Sequence, residues 1–377
     1  MTDQAMNPAL RINKLETFGN EFVCFVRLST ADGSTGWGQL STYNADISAM
    51  VFHRQVAPWA LGRGADELEA LLGEIPEREH KFFACSYLYR ALSGLDTAVW
   101  DLRGRLAGKP VTSLIGGSPG TLRAYASSMR RDITPQDEAE RLRRLRDADG
   151  YDAFKFRVGR ECGRDHDEWP GRSEAIVPAL RKALGPTVSL MVDANSCYSP
   201  RHAIELGRML EQNGVEHFEE PCPYWEMEQT AEVRQALSLD VTGGEQDFDL
   251  AHWRRMLALR AVDVVQPDVL YIGISRTLQV AQMAQDAGLP CTPHSANLSL
   301  VTLFSMHLLR AIPNAGKYLE FSIEGPEYYP WQQKLFVEDP YGVKDGKLEV
   351  SEQPGWVVEI SPQWLERSNH QVSELPA

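Results

Sequence analysis

The sequence lacks the features of a disulfide-bonded, zinc-binding or membrane-spanning protein. Its 377 residues include only six cysteines, which form no Cys-x-x-Cys pair and are separated by long, uneven gaps. This pattern is typical of a reducing compartment and excludes a disulfide framework or a zinc site. No run of about 18 apolar residues is present, so we expect no membrane span. The opening Met-Thr-Asp-Gln lacks the basic and apolar regions of a signal peptide, and we expect a cytoplasmic protein.

Positive charge is also scarce. The chain has 38 Lys and Arg residues against 52 Asp and Glu residues, which gives a net charge of −14. Nucleic acids and anionic membranes select basic surfaces, so we expect neither as a partner. Hydrophobic residues make up 43% and charged residues 24% of the chain, an ordinary balance for a globular protein with a sizeable core. The length indicates two domains, or one large barrel with an appendage.

The first 121 residues differ in pattern from the rest. Short strand-like runs come first, two of them joined by the hairpin turn signal Ala31-Asp32-Gly33-Ser34, and a long helical stretch near residues 81–107 follows. Strands that precede helices indicate an α+β domain over residues 1–121. A strand-like segment, Gly346–Ile360, lies in a C-terminal part over residues 341–377, and we expect it to return to this first domain.

Between residues 122 and 340, eight short strand candidates alternate with amphipathic helical segments. This alternation is typical of an α/β protein of the (β/α)₈ barrel type. A doubly wound sheet is the rival arrangement. It requires a Gly-rich phosphate turn after its first strand, and the Ser127-Ser128-Met129-Arg130 turn found there is not one.

Ionisable side chains recur at the C-terminal ends of seven consecutive barrel strands in this interpretation. They are Lys155 with Arg157, Asp193, Glu219, Glu245, Asp268, His294 and Glu320. The steps from Asp193 onward are 26, 26, 23, 26 and 26 residues, a period that places the side chains at one level of one ring. A single acid at a strand end is usually a solvated loop residue or a helix cap, but this repetition argues against that reading for the set.

Three of these acids, Asp193, Glu219 and Glu245, lie on adjacent expected strands. Three carboxylates that face one small space repel one another, so either their pKa values rise steeply or a divalent cation holds them. Ligation by oxygen alone favours Mg²⁺ over zinc or a softer metal. The sequence therefore predicts a magnesium site at this end of the barrel.

With these residues in place, the chain resembles the enolase superfamily, in its mandelate racemase-like subgroup. The stretch Ser93–Gly117 is similar to the family's helix that leads into the barrel, and Pro354–Ile360 is similar to its returning segment. The resemblance covers nearly the whole chain. It implies a (β/α)₈-type barrel with an N-terminal α+β capping domain that the C-terminal segment completes, and it implies a homo-oligomer.

The resemblance also implies a role for each strand-end residue. Mg²⁺ would hold the carboxylate of the substrate and stabilise the enediolate that forms when the proton α to it leaves. Lys155 would hydrogen-bond that carboxylate, and Glu320 would add a further contact. Asp268 would orient His294 and raise its basicity, so that the imidazole acts as the base. The implied metal ligands are Asp193, Glu219 and Glu245.

The sequence departs from the family pattern at Arg157. Members with a Lys-x-Lys motif use the second lysine as a base, and a guanidinium is protonated far above neutral pH. A racemase needs a base on each face of the carbon, whereas a dehydratase can use His294 alone as base and then acid. The sequence therefore favours a lyase that dehydrates a small-molecule sugar acid, an aldonate or aldarate, to a 2-keto-3-deoxy acid.

Three alternatives stay open on the same scaffold. The first is a racemase or epimerase of a 2-substituted carboxylate. A cycloisomerase is less favoured, because those family members typically place a lysine where Asp268 stands. The third is a non-catalytic protein that binds sugar acids, although binding alone needs no base. Polar loop residues suit a polyol, and we expect weaker substrate contacts from Asn195, Asn20, Glu21, Tyr43 and Trp169.

Overall fold

The fold combines an antiparallel sheet with a curled parallel sheet, and the computed structural model describes it for residues 7–82 and 85–376. The strands are β1 (Ile12–Gly19), β2 (Val23–Thr30), β3 (Thr35–Thr42), β4 (Gly120–Ser127), β5 (Ala153–Arg157), β6 (Ser189–Asp193), β7 (Val215–Glu219), β8 (Asp240–Gly243), β9 (Val264–Val265), β10 (Leu319–Ser322), β11 (Lys347–Val350) and β12 (Asn369–Glu374). The α-helices are α1 (Ala45–Val51), α2 (Ala57–Ala60), α3 (Leu68–Arg78), α4 (Ser86–Ala107), α5 (Val111–Leu114), α6 (Pro135–Asp149), α7 (Arg172–Leu184), α8 (Pro200–Gln212), α9 (Met227–Ala236), α10 (Leu250–Leu259), α11 (Val269–Asp286), α12 (Leu300–Leu309) and α13 (Pro362–Arg367).

The parallel sheet has the order β10-β4-β5-β6-β7-β8-β9, and β10 pairs with β4, so the strands curl into a barrel. The predicted fold class, a (β/α)₈-type barrel with an α+β capping domain, is confirmed. The stretch Pro290–Pro293, one of the eight strand candidates of the barrel, forms only isolated bridges at Cys291, and a further bridge lies at His294. The reason is that prolines have no backbone N–H to donate to a strand ladder. In the described part of the chain, no helix is both long and apolar enough to cross a membrane.

The antiparallel sheet has the order β12-β1-β2-β3 and joins both ends of the chain. The segment Gly346–Ile360, predicted to return to the first domain, contains a strand and, after it, Trp356, which hydrogen-bonds to Asp101 on α4 of that domain. That strand, β11, pairs with β4 of the barrel, where Leu348 lies opposite Leu122. Leu348 and Val350 alternate with exposed neighbours, so they form one apolar face of the strand, and this face is buried where β11 joins the barrel. The later strand β12 pairs with β1 instead.

Asp101 on α4 joins three separate parts of the fold. Its Oδ2 accepts hydrogen bonds from the backbone N–H of Trp37 at 2.8 Å and from Nε of Arg105 at 2.7 Å. Its Oδ1 accepts from the backbone N–H of Trp356 at 2.8 Å. The Trp356 indole is fully buried and donates to the carbonyl of Thr97 at 3.0 Å. This single carboxylate therefore holds β3 and the C-terminal segment on α4.

We expect Asp101→Ala to lower the free energy of unfolding by about 3 kcal/mol, because two buried N–H groups and one arginine lose their acceptor. Urea denaturation followed by circular dichroism measures this change. The matched control is Asp147→Ala, which removes a half-exposed carboxylate paired with Arg143, and it should change stability by less than about 1 kcal/mol. Equal losses in the two variants would contradict the role of Asp101.

Candidate active site

Strand β5 separates its side chains between the core and the barrel interior. All five of its residues are buried. Phe154 and Phe156 pack in the main hydrophobic core. Side chains two residues apart share a face of a strand, so Lys155 and Arg157 lie together on the other face, inside the barrel. Buried charges of this kind require partners, and the neighbouring strands supply them.

Three carboxylates meet at the ends of the next three strands. Asp193 ends β6 and lies opposite Glu219, which ends β7, while Glu245 follows β8 closely. One oxygen from each of the three lies within 4.8 Å of the others, and all three side chains are buried. Ligands made only of carboxylate oxygens suit a hard divalent cation. The residues that are present therefore fit a metal ion.

Lys155 lies between two of the site's carboxylates. Its Nζ donates to Glu219 Oε2 at 2.7 Å and lies 2.7 Å from Glu320 Oε1. Glu320 also accepts from Ser127 Oγ at 2.8 Å and from the backbone N–H of Ser295 at 3.0 Å. Burial lowers the pKa of Lys155, but the charges of Glu219 and Glu320 outweigh it and hold the pKa well above its ordinary value. The side chain is therefore a fixed ammonium donor.

Arg157 is held as a cation beside Asp193. One of its terminal nitrogens pairs with Asp193 Oδ2 and donates to Asn195 Oδ1 at 3.1 Å. Its Nε donates to the carbonyl of Ser128 at 3.1 Å. Burial lowers the pKa of Arg157, but nearby carboxylates, Glu219 first among them, raise it overall. The guanidinium keeps its proton, so it supplies charge and hydrogen bonds and does not accept a proton.

His294 and Asp268 form a dyad across adjacent strand ends. Nδ1 of His294 lies 2.8 Å from Asp268 Oδ2, while Asp268 Oδ1 accepts from the backbone N–H of Leu270 and caps α11. This contact leaves Nε2 of the imidazole for Glu245, 3.1 Å away. Burial lowers the pKa of His294, but the charges of Glu245 and Glu320 raise it overall, to about 10. Neutralising the charge of Glu245 therefore favours the base form of the imidazole.

A cavity of about 520 Å³ opens beside these groups, a size that suits a small molecule. The predicted site residues that line it are Arg157, Asn195, Glu245, Asp268, His294 and Tyr43. Five further tyrosines line it, and they are Tyr87, Tyr224, Tyr271, Tyr328 and Tyr329. Charged groups, amides and phenol hydroxyls thus surround one space, as recognition of a polar ligand requires.

Three of the predicted loop contacts have other roles in the structure. The side chain of Asn20 accepts from the backbone N–H groups of Phe22 and Val23 and shapes the turn between β1 and β2. Glu21 is exposed beside it, and its carbonyl accepts from the backbone of residue 45. Trp169 lies against the guanidinium of Arg172. None of the three predicted side chains is among the described residues that line the cavity.

The structure brings three further residues to the site that the sequence pattern does not single out. Arg131 lies just beyond β4 and lines the cavity. Glu220 follows Glu219 directly and is buried at the cavity wall. Gln266 follows β9 and donates from Nε2 to Glu219 Oε2 at 3.0 Å. Each follows a barrel strand, so the position was a signal, but the residue types pointed to no definite chemistry.

Two family models match this chain, one in its C-terminal part and one in its N-terminal part. The family model described as "Enolase C-terminal domain-like" matches residues 137–364. The one described as "Mandelate racemase / muconate lactonizing enzyme, N-terminal domain" matches residues 6–116. The two matches together cover most of the chain.

Individual relatives match over nearly their whole length. The arabinonate dehydratase of Saccharolobus solfataricus is 27% identical over 355 residues, which cover 92% of this chain and 90% of that protein. A crystal structure from Roseobacter denitrificans, provisionally described as a racemase, is 63% identical with a TM-score of 0.95, and the match covers 97% of this chain and 100% of that one. A mandelate racemase/muconate lactonizing protein from Paracoccus denitrificans PD1222, complexed with magnesium, is 27% identical with a TM-score of 0.88, and the match covers 96% and 98% of the two chains.

Proposed function

The chain belongs to the enolase superfamily, in its mandelate racemase and muconate lactonizing enzyme group, and on this premise we propose that it is a magnesium-dependent dehydratase of a sugar acid. The substrate is an aldonate or aldarate, and the product is a 2-keto-3-deoxy acid. The observation that carries the proposal is that one base, His294, and one fixed cation, Arg157, line the same cavity. The arabinonate dehydratase relative supports a sugar acid as the substrate.

The metal-binding residues in this proposal are Asp193, Glu219 and Glu245. When bound, Mg²⁺ stabilises the negative charge that develops on the carboxylate of the substrate. The related Paracoccus protein complexed with magnesium supports the choice of ion. The ammonium of Lys155 adds a second positive charge to the same carboxylate, since it is held in place by Glu219 and Glu320.

His294 performs both proton transfers. Its Nε2 takes the proton α to the carboxylate, and the C–H electron pair becomes part of the enediolate. Asp268, hydrogen-bonded to Nδ1, stabilises the imidazolium that forms. Nε2 then gives its proton to the β-hydroxyl, which leaves as water with its bonding electrons. The resulting enol loses its hydroxyl proton and takes up a proton at the β-carbon, which gives the 2-keto-3-deoxy acid.

A racemase or epimerase is the second candidate, and the 63% identical structure with a racemase description favours it. That reaction needs a second group that exchanges a proton on the opposite face of the α-carbon. Arg157 occupies the position that a second lysine holds in such enzymes, but its pairing with Asp193 keeps it protonated. This is the reason for preferring a dehydratase.

The test is incubation with a library of mono- and diacid sugars and Mg²⁺ in D₂O. We expect a 2-keto acid, detected as its semicarbazone, and loss of the reaction when EDTA removes the metal. If deuterium enters the α-carbon with inversion and no keto product forms, the protein is an epimerase and the dehydratase proposal is wrong. Binding of sugar acids with neither exchange nor product would instead indicate a non-catalytic binding protein.

A further inference from the structure

Two guanidinium groups converge on one amide oxygen at the cavity wall. Arg131 follows β4, and its Nη2 donates to Asn195 Oδ1 at 2.7 Å. Arg157 ends β5 and donates to the same oxygen at 3.1 Å. The Nδ2 of Asn195 in turn donates to Asp193 Oδ2 at 3.1 Å. The two guanidinium groups are therefore adjacent, and the amide of Asn195 links both of them to Asp193, one of the proposed metal ligands.

Only one of these two cations has a carboxylate partner. Arg157 pairs with Asp193, whereas the other hydrogen bond of Arg131 is from Nε to the carbonyl of Gly159 at 2.9 Å. Within the described ranges, no carboxylate lies within 4.0 Å of the Arg131 guanidinium. The neighbouring Arg130 differs, since it pairs with Asp132 at 2.8 Å.

The surroundings of Arg131 oppose its positive charge. The pKa of Arg131 is lowered to about 10, first by burial and then by repulsion from Arg157. An arginine still keeps its proton at neutral pH under these conditions. An anion beside it would relieve the repulsion and would receive hydrogen bonds strengthened by the charge.

We propose, on the basis of the proposed function, that Arg131 binds a second carboxylate of the substrate, so that the enzyme acts on diacid sugars in preference to monoacids. Arg131 lines the same cavity as His294 and Glu245, so a single ligand can contact all three. The first carboxylate would be held by the metal ion that Asp193, Glu219 and Glu245 would bind and by Lys155, and the second by Arg131. The side chain of Asn195 connects the two places, since it contacts both Arg131 and Asp193.

The experiment compares matched diacids and monoacids, galactarate with galactonate and glucarate with gluconate, on three forms of the enzyme. We expect the wild type to show a higher kcat/KM for the diacids. Arg131→Gln should reduce kcat/KM for diacids by about 10- to 100-fold, mainly through KM, and should change it little for monoacids. Arg130→Gln is the matched control, because Arg130 precedes Arg131 and already has Asp132 as its partner. It should behave as the wild type.

A binding measurement separates this proposal from the proposed function. Two variants are titrated calorimetrically with the same diacids: His294→Asn alone, and His294→Asn combined with Arg131→Gln. The double variant should bind the diacids about 10- to 100-fold more weakly than His294→Asn alone. Equal diacid and monoacid turnover by the wild type would overturn the role of Arg131 and leave the dehydratase intact. If no sugar acid reacts, the dehydratase proposal fails, and the calorimetric comparison decides the carboxylate subsite alone. Equal diacid affinities in the single and double variants would then refute it.

Discussion

We expect His294→Asn to lower kcat for sugar acid dehydration by about 10⁴-fold, because one imidazole serves as both base and acid. The affinity for Mg²⁺ should stay nearly unchanged, since the metal-binding residues proposed here are Asp193, Glu219 and Glu245. Steady-state kinetics with a semicarbazide readout and calorimetric titration with Mg²⁺ measure the two quantities on the same sample.

The control for this variant is His202→Asn. His202 is half-exposed on α8 and contacts Asp165, so its replacement should leave kcat unchanged. Full activity in His294→Asn would show that another group removes the proton. A loss of Mg²⁺ affinity as large as the loss of kcat would show instead that the imidazole takes part in metal binding.

The second large effect is expected for Glu219→Gln, which keeps the shape of the side chain and removes its charge. We expect Mg²⁺ affinity to fall by at least about 100-fold, since loss of a direct ligand exceeds the 10- to 100-fold effect of outer partners. The fall in kcat/KM should be partly reversed at high Mg²⁺ concentration. Calorimetric titration and kinetics over a range of Mg²⁺ concentrations give both values.

Glu216→Gln is the matched control because it changes an exposed glutamate on the same strand, β7. It should leave both Mg²⁺ affinity and activity close to the wild type. If Glu219→Gln bound Mg²⁺ as tightly as this control, the three carboxylates would not form a metal site. If it lost activity with full metal affinity, Glu219 would act only through Lys155.

The strand-end residues could be predicted because barrel geometry makes their positions regular. Parallel strands of one length, joined by helices of similar length, bring their C-terminal ends to one level, so the 26-residue steps from Asp193 to Glu219 and Glu245 already indicated a shared site. The structure brings these three side chains together in a space that fits a metal ion. No structural detail beyond strand order was needed for that prediction.

The loop residues could not be predicted in the same way, because no period fixes the path of a loop. Asn20 is a polar residue in a loop, but its oxygen is taken by two backbone N–H groups of its own turn. Trp169 lies in the long stretch after β5 and packs on Arg172. Arg131 has no distinctive spacing, and the two contacts that hold it at the cavity wall form only in the folded chain. The pairing of β11 with β4 likewise depends on which apolar edge is nearest in space.

The pleat of β5 divides the effects of substitutions on this strand into two kinds. Phe154 and Phe156 anchor the strand from outside, while Lys155 and Arg157 lie on the opposite face, inside the barrel. A replacement at position 157 leaves the packing of Phe154 and Phe156 in place, but it removes the cation that pairs with the buried carboxylate of Asp193.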